Sequence, residues 1–243
     1  KAKNPKTNPK IWQVFGVGPQ GAVGPQGAVG PQGAVGIGSV GTTTGDMQWW
    51  NGSKWVMIPV SANNAILKNC NGIPTWVASA DSCPFLIGDT GPAGGIIFYL
   101  TDNSGLHGLE AAPVDQANSK WGCSGTAIDG TISTIGTGLQ NTIKIVARCA
   151  EPDTAAKNAQ AYTLNGFSDW YLPSKDELNI MYASIGPNAT QPLTNMGNFA
   201  LDHYWSSTEI DIEHAWGQNF CCTVQVNGNK VSNVFRVRAV RTF

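Results

Sequence analysis

Charge is scarce in this chain. Asp, Glu, Lys and Arg make up 13% of its 243 residues, where roughly 25% is usual. The formal net charge is −1, which leaves no bulk basicity of the kind that carries nucleic-acid binding. No apolar run reaches the roughly 18 residues of a membrane span, and neither a signal-type apolar region nor a cleavage site is visible, so no transmembrane segment is expected. CxxC pairs and His-rich spacings are missing, which argues against zinc. Also missing are a serine elbow, an HExxH pair, a Walker loop and a dinucleotide fingerprint. His107, His203 and His214 are scattered singly. No enzyme and no bound cofactor are expected from such an inventory.

What the chain does have is glycine in strict period. Gly18-Pro19-Gln20-Gly21-Ala22-Val23 is followed by two further copies, and Gly36 closes the run. Only glycine fits at the crowded axis of three polyproline-II-like strands, so this spacing implies a collagen-like triple helix and a homotrimer. The segment spans only about 50 Å at roughly 3 Å per residue, and proline occupies just alternate triplets. It reads as a spacer whose register is set elsewhere in the chain.

Four segments follow from composition. Residues 1–17 form a solvated basic tail with Lys1, Lys3, Lys6 and Lys10, and 18–36 are the collagen-like run. Residues 37–82 are a connector and a Trp-rich β neck, and 83–243 are a head. In the neck, Met47–Trp50 and Ser53–Val56 flank Asn51-Gly52, a two-residue hairpin signal. A second extended pair is expected around Ile66–Lys68 and Thr75–Val77. The neck tryptophans exceed what so small a unit buries alone, so they are expected to pack across the three-fold axis or against the head.

In the head, Gly94-Gly95 feeds the apolar run Ile96–Leu100, the pattern of a buried strand. Residues 138–150 place Leu139, Ile143, Val146 and Ala147 on one helical face, and Asp153 is a candidate cap for a helix running to Tyr162. Ser174 and Glu177 make a capping box ahead of Leu178, Met181 and Tyr182, with Gly186 as the stop. Residues 204–207, 215–226 and 231–242 read as strands, with Asn227-Gly228 turning the last two into a hairpin. Helices in the middle and paired strands at the end make an α+β head. The six cysteines favour disulfides in an exported chain, among the fifteen pairings open to six. Cys221 and Cys222 on a strand would face opposite sides, which predicts two different partners.

Several phrases carry a family resemblance: residues 87–99, Gly166-Phe167-Ser168-Asp169-Trp170-Tyr171-Leu172-Pro173-Ser174, Tyr204-Trp205-Ser206-Ser207-Thr208-Glu209 and Val237-Arg238-Ala239-Val240-Arg241. Over nearly the whole head they resemble the C-terminal domain of the Legionella collagen-like adhesin (Lcl) family. The resemblance implies a trimeric bacterial surface or secreted adhesin that binds sulfated glycosaminoglycans and promotes aggregation and biofilm. The W-x-L-P, W-S-S and terminal R-x-x-R pattern is also similar to the formylglycine-generating and C-type-lectin-like fold group, a likeness of fold and not of activity.

From Cys83 onward nine Lys and Arg face fourteen Asp and Glu, a net charge of about −5 per head. A polyanion therefore needs a local basic patch. The dense candidate is Lys230 with Arg236, Arg238 and Arg241. On a strand Arg236 and Arg238 share a face and suit bidentate sulfate or carboxylate binding. The alternative is that these cations pair internally with Glu209, Asp211 or Glu213. Those three and Asp202 form an acidic cluster that could hold Ca²⁺, though without EF-hand spacing. Two other roles fit the same layout: the receptor-binding tip of a phage-like fibre, and a self-associating filament subunit.

Overall fold

The computed structural model describes residues 21–22, 24, 43–61, 65–70, 72–78, 83–102 and 104–243. The basic tail and nearly all of the collagen-like run and connector lie outside the described residues.

The neck consists of two separate hairpins. In the first, β1 (Met47–Trp50) pairs antiparallel with β2 (Trp55–Ile58), with Trp50 opposite Trp55. The loop between them therefore has four residues, not two. Asn51 explains the difference, because its side-chain oxygen accepts from the backbone N–H of both Ser53 and Lys54 and draws them out of the ladder. In the second hairpin, both extended segments expected there form and pair antiparallel, β3 (Ala65–Cys70) with β4 (Ile73–Ala78). Trp76 Nε1 donates to the Pro59 carbonyl at 2.8 Å and ties the two hairpins together. A Cys70–Cys83 disulfide fastens the neck to the start of the head.

The head is mixed α+β, mostly strands with few helices. In chain order it runs β5 (Ile96–Leu100), β6 (Gly108–Ala111), β7 (Gln116–Ser119), α1 (Gly138–Arg148), α2 (Ala155–Gln160) and α3 (Lys175–Ser184). It continues through β8 (His203–Glu209), β9 (His214–Asn219), β10 (Val224–Asn229), β11 (Phe235–Val237) and β12 (Val240–Thr242). Five strands lie in the order β10-β9-β8-β11-β7, and three in the order β12-β6-β5. Successive strands β11 and β12 thus belong to different sheets, and the short Arg238-Ala239 link joins them.

Two apolar clusters fill the head. One gathers Trp121, Trp170, Trp205 and Ile145 with the alanines of α2. The other gathers Phe98, Leu178, Met181, Phe199, Tyr204 and Phe220 beneath α3. Each large side chain so buried contributes about 1.5–3 kcal/mol. The indole N–H groups of Trp121 and Trp205 donate to the carbonyls of Ser206 and Ser119, so these rings are buried without a stranded donor. The capping box of α3 forms as expected, with Ser174 and Glu177 satisfying each other's backbone N–H. Leu178, Met181 and Tyr182 then face the core.

Four local expectations need correction. Leu139 and Ile143 of α1 are exposed, while Asn141, Thr142 and Ile145 point inward. The inward polar pair is fully used: Asn141 bonds Ile132 and Ser207, and Thr142 bonds Gly138 and Leu172. The cap of α2 is Thr154 and not Asp153. Asn227-Gly228 lies inside β10, paired with Trp216 and Ala215; Gly228 is glycine there because the Trp205 ring leaves no room for a Cβ. The true β9–β10 turn contains Cys221 and Cys222, which therefore sit on a turn and not on opposite faces of a strand. The remaining four cysteines pair as Cys70–Cys83 and Cys123–Cys149.

Candidate functional site

The four cations singled out from sequence are all held by the head's own acceptors. Lys230 is completely buried. Its Nζ meets Glu209 Oε1 at 2.5 Å and the Ile212 carbonyl at 3.2 Å, and lies 4.8 Å from the centre of the Trp121 ring. Glu209 also accepts from the Ile128 N–H at 2.9 Å. The lysine is thus an internal staple between the end of β8 and the loop after β7.

Arg236 and Arg238 do point the same way, and what they meet is Asp115. Arg238 Nε donates to Asp115 Oδ1 at 2.7 Å, and its Nη1 donates to the carbonyls of Ala112 and Gly197 at 3.0 and 2.8 Å. Its guanidinium carbon sits 4.2 Å from the centre of the Phe199 ring. Arg236 reaches Asp115 Oδ2 at 3.2 Å and Asp202 at 3.1 Å, with its side chain 31% exposed. Tyr204 completes the arrangement by donating its hydroxyl to Asp115 at 3.0 Å. Burial first, and the neighbouring Asp115 charge second, push the Tyr204 phenol well above its ordinary range, so it remains a donor.

Arg241 turns elsewhere. It donates to Asp169 at 2.6 Å and to the fully buried Glu110 at 2.9 Å, over the Phe167 ring. Glu110 in turn accepts from the N–H groups of Ala93 and Gly95. A sulfate arriving at Arg238 or Arg241 would have to displace a carboxylate already in bidentate or forked contact. Of the internal partners named from sequence Glu209 does hold Lys230, while Asp115, Glu110, Asp169 and, for Arg236, Asp202 are partners that sequence reading missed. Asp115 is separated from Arg236 and Arg238 by 121 and 123 residues, and no local pattern encodes such a pairing.

The acidic cluster is likewise dispersed among other partners. Asp202 holds Arg236 and the His203 N–H, Glu209 holds Lys230, and Glu213 accepts from Ser124. Asp211 binds the His214 ring and two backbone N–H groups. Among the described residues the gathering with metal-ligand proximity is Cys123, Cys149 and Glu151, and its two sulfurs are already joined as a disulfide.

The head's remaining cations lie outside this C-terminal cluster in sequence. Lys120 follows β7 and is exposed, while its carbonyl accepts from the first N–H of α2. Arg148, at the end of α1, is 54% exposed and bridges to an open Asp129 at 3.2 Å, a pairing worth little in water. Lys144 and Lys157 bond backbone carbonyls of Gly130 and Glu151, and Lys175 rests 3.6 Å over Trp216. A hollow of about 280 Å³ at Cys83, Pro84, Phe85, Asp89 and Thr90 is smaller than most pockets that enclose a small-molecule ligand.

Residues 116–241, just over half of the chain, match the sequence profile of the Lcl C-terminal domain. The chain belongs to the Lcl family. A comparison with curated proteins returns no match. The matched Lcl domain contains all four predicted cations, yet two of their carboxylate partners, Glu110 and Asp115, lie just before it. The structure accounts for this extension: β12, which begins inside the Lcl match, pairs with β6, which precedes it. Among the described residues of this Lcl chain no helix is long and apolar enough to cross a membrane.

Proposed function

We propose that this Lcl-type protein is a trimeric, non-enzymatic adhesin of the bacterial cell surface, whose head binds sulfated glycosaminoglycans or other polyanionic surface glycans. The observation that carries the reading is an Lcl C-terminal domain preceded by an unbroken Gly-X-Y run. The likeness to the C-type-lectin-like group is supported by one sheet holding both the head's first strand, β5, and its last, β12, on either side of β6. Three heads fixed on one stalk turn weak single sites into firm attachment through effective concentration. Because the C-terminal arginines are occupied, the polyanion is read by the open cations beside α1 and α2, chiefly Lys120 and Arg148.

The paired substitution Lys120→Ala, Arg148→Ala should lower the salt concentration at which the full chain elutes from heparin. It should also flatten the dependence of log affinity on log salt by roughly one to two units, the counterions no longer released. Unchanged elution would remove these residues from the site. Far-ultraviolet circular dichroism should be unaltered, since neither side chain is buried.

The trimer has its own test. Two-stranded hairpins are marginal in water, and this neck leaves Trp50 and Trp55 about half exposed, at 51% and 47%. The three-chain reading places those rings against neighbouring copies. Sedimentation of the full chain at micromolar concentration should give three times the chain mass of 25.7 kDa; a monomer would end the argument.

A further inference from the structure

Two cysteines have no partner elsewhere in the chain. Cys70 is joined to Cys83 and Cys123 to Cys149, and all six cysteines are thereby accounted for except Cys221 and Cys222. Both are exposed in the β9–β10 turn, and the Cys222 thiol donates to Cys221 Sγ with the sulfurs 2.9 Å apart. Two bonds brace the turn around them. Asn219 Oδ1 accepts the Cys221 N–H at 2.8 Å, and the Thr223 hydroxyl meets the Tyr182 hydroxyl of α3 at 2.9 Å. Thr223 itself sits at φ +62°, in the left-handed region that a threonine adopts only under constraint. The turn therefore holds two neighbouring thiols with their sulfurs in direct contact but not bonded, a bonded pair lying about 2.05 Å apart.

We propose that Cys221 and Cys222 are a redox-modification site, forming a vicinal disulfide by exchange with a low-molecular-weight disulfide and reopening under mild thiol. In the forward direction the Cys221 thiolate attacks the small disulfide RSSR, forming a mixed disulfide and expelling one RS⁻. Cys222 then loses its proton to water and attacks the Cys221 sulfur, closing the ring and expelling the second RS⁻. Two protein thiols are oxidised and one RSSR is reduced to two RSH. The hydrogen bond to Cys221 raises the Cys222 thiol above its ordinary range, which fits Cys222 acting second.

The ring differs in kind from the chain's other bridges. Adjacent residues hold their Cα atoms about 3.8 Å apart, shorter than the roughly 4.4–6.8 Å that disulfides prefer. The resulting strain makes the bond easier to reduce. Cys123–Cys149, by contrast, is buried, with its Cα atoms 5.1 Å apart. One exposed tip can therefore change state while the structural bridges persist.

Trypsin offers a clean readout, because Lys175 and Lys230 bound a peptide, 176–230, whose cysteines are Cys221 and Cys222 alone. The full chain is equilibrated in glutathione buffers of graded potential, alkylated with iodoacetamide, digested and weighed. Under oxidising buffer the peptide should be unalkylated and two hydrogen masses light. It should become doubly alkylated at a reducing power at least about tenfold weaker than Cys123–Cys149 requires, a gap of roughly 30 mV. Cys221→Ser should leave Cys222 open to alkylation wherever it is not capped by glutathione. Three results would overturn the proposal: double alkylation in every buffer that keeps the other bridges closed, a peptide cross-linked to a second copy of itself, or reduction only alongside the buried bridge.

Discussion

Lys230→Ala is expected to destabilise the head by about 3–5 kcal/mol, the usual loss when one member of a buried ion pair is removed. The lysine is wholly buried and Glu209 is 11% exposed, so water cannot take over the stranded carboxylate. The Ile128 N–H continues to bond Glu209, which softens the loss without supplying a counter-charge. Urea unfolding of Lys230→Ala, Lys230→Met and the double variant Lys230→Met, Glu209→Gln separates the contributions. Methionine keeps most of the volume, so its loss reports the unpaired charge more than a cavity. Neutralising both partners should restore most of the stability, because an ion pair out of water gains little over apolar or neutral replacements. A change below about 1 kcal/mol for Lys230→Ala, the range of exposed pairs, would show that the pair is open to solvent.

Arg238→Ala carries the second large effect. It leaves Asp115 short of its shortest contact and removes the donor to two carbonyls. Hydrogen bonds to charged groups contribute about 1.5–3 kcal/mol each; Asp115 keeps Arg236 and Tyr204, but the two carbonyls lose their donor and a buried side chain is truncated, so a loss of about 4 kcal/mol is expected. At roughly 2–4 °C per kcal/mol in a domain of this size, the melting temperature should fall by about 10 °C. Arg238→Lys should recover only part of it, since an ammonium cannot make the forked contacts of a planar guanidinium. Weakened heparin binding in Arg238→Ala would then accompany a folding defect, and a melting curve on the same sample distinguishes the two. An unchanged melting temperature would show that the arginine is free to serve a ligand.

How much of this could be read from the chain alone depended on how far each residue's partner lay. The α3 capping box was legible because its two members are three residues apart, and the strands at Ile96–Leu100 and of the β3–β4 pair were legible because their apolar and extended patterns are local. Asn227-Gly228 misled for the opposite reason. Its turn chemistry is real, but the Trp205 ring gives Gly228 a packing role that no local window contains. The apolar face at Leu139 and Ile143 misled similarly, since Asn141 and Thr142 are welcome inside only because Ser207, Leu172 and Ile132 receive them. For the candidate site, the clustering of Lys230, Arg236, Arg238 and Arg241 was visible, and so was the common direction of Arg236 and Arg238. Their destination was not, because Asp115 and Glu110 are brought to them by the fold. A dense run of cations in a chain short of charge says that something must neutralise them, without saying whether it comes from inside or outside.

The division of residues 235–242 between two sheets has a further consequence for how the head assembles. Strand β7 finds its ladder partner only in β11, and β6 gains its outer neighbour only in β12. Neither sheet can be completed before the other end of the domain is in hand, and Arg238 locks at the junction of the two. Such long-range pairing makes for slow folding, with strand edges left open meanwhile. It also makes for a head that comes apart all at once: pulling β12 from its sheet drags β11 from the other, so unfolding should run as a single cooperative step without a surviving half.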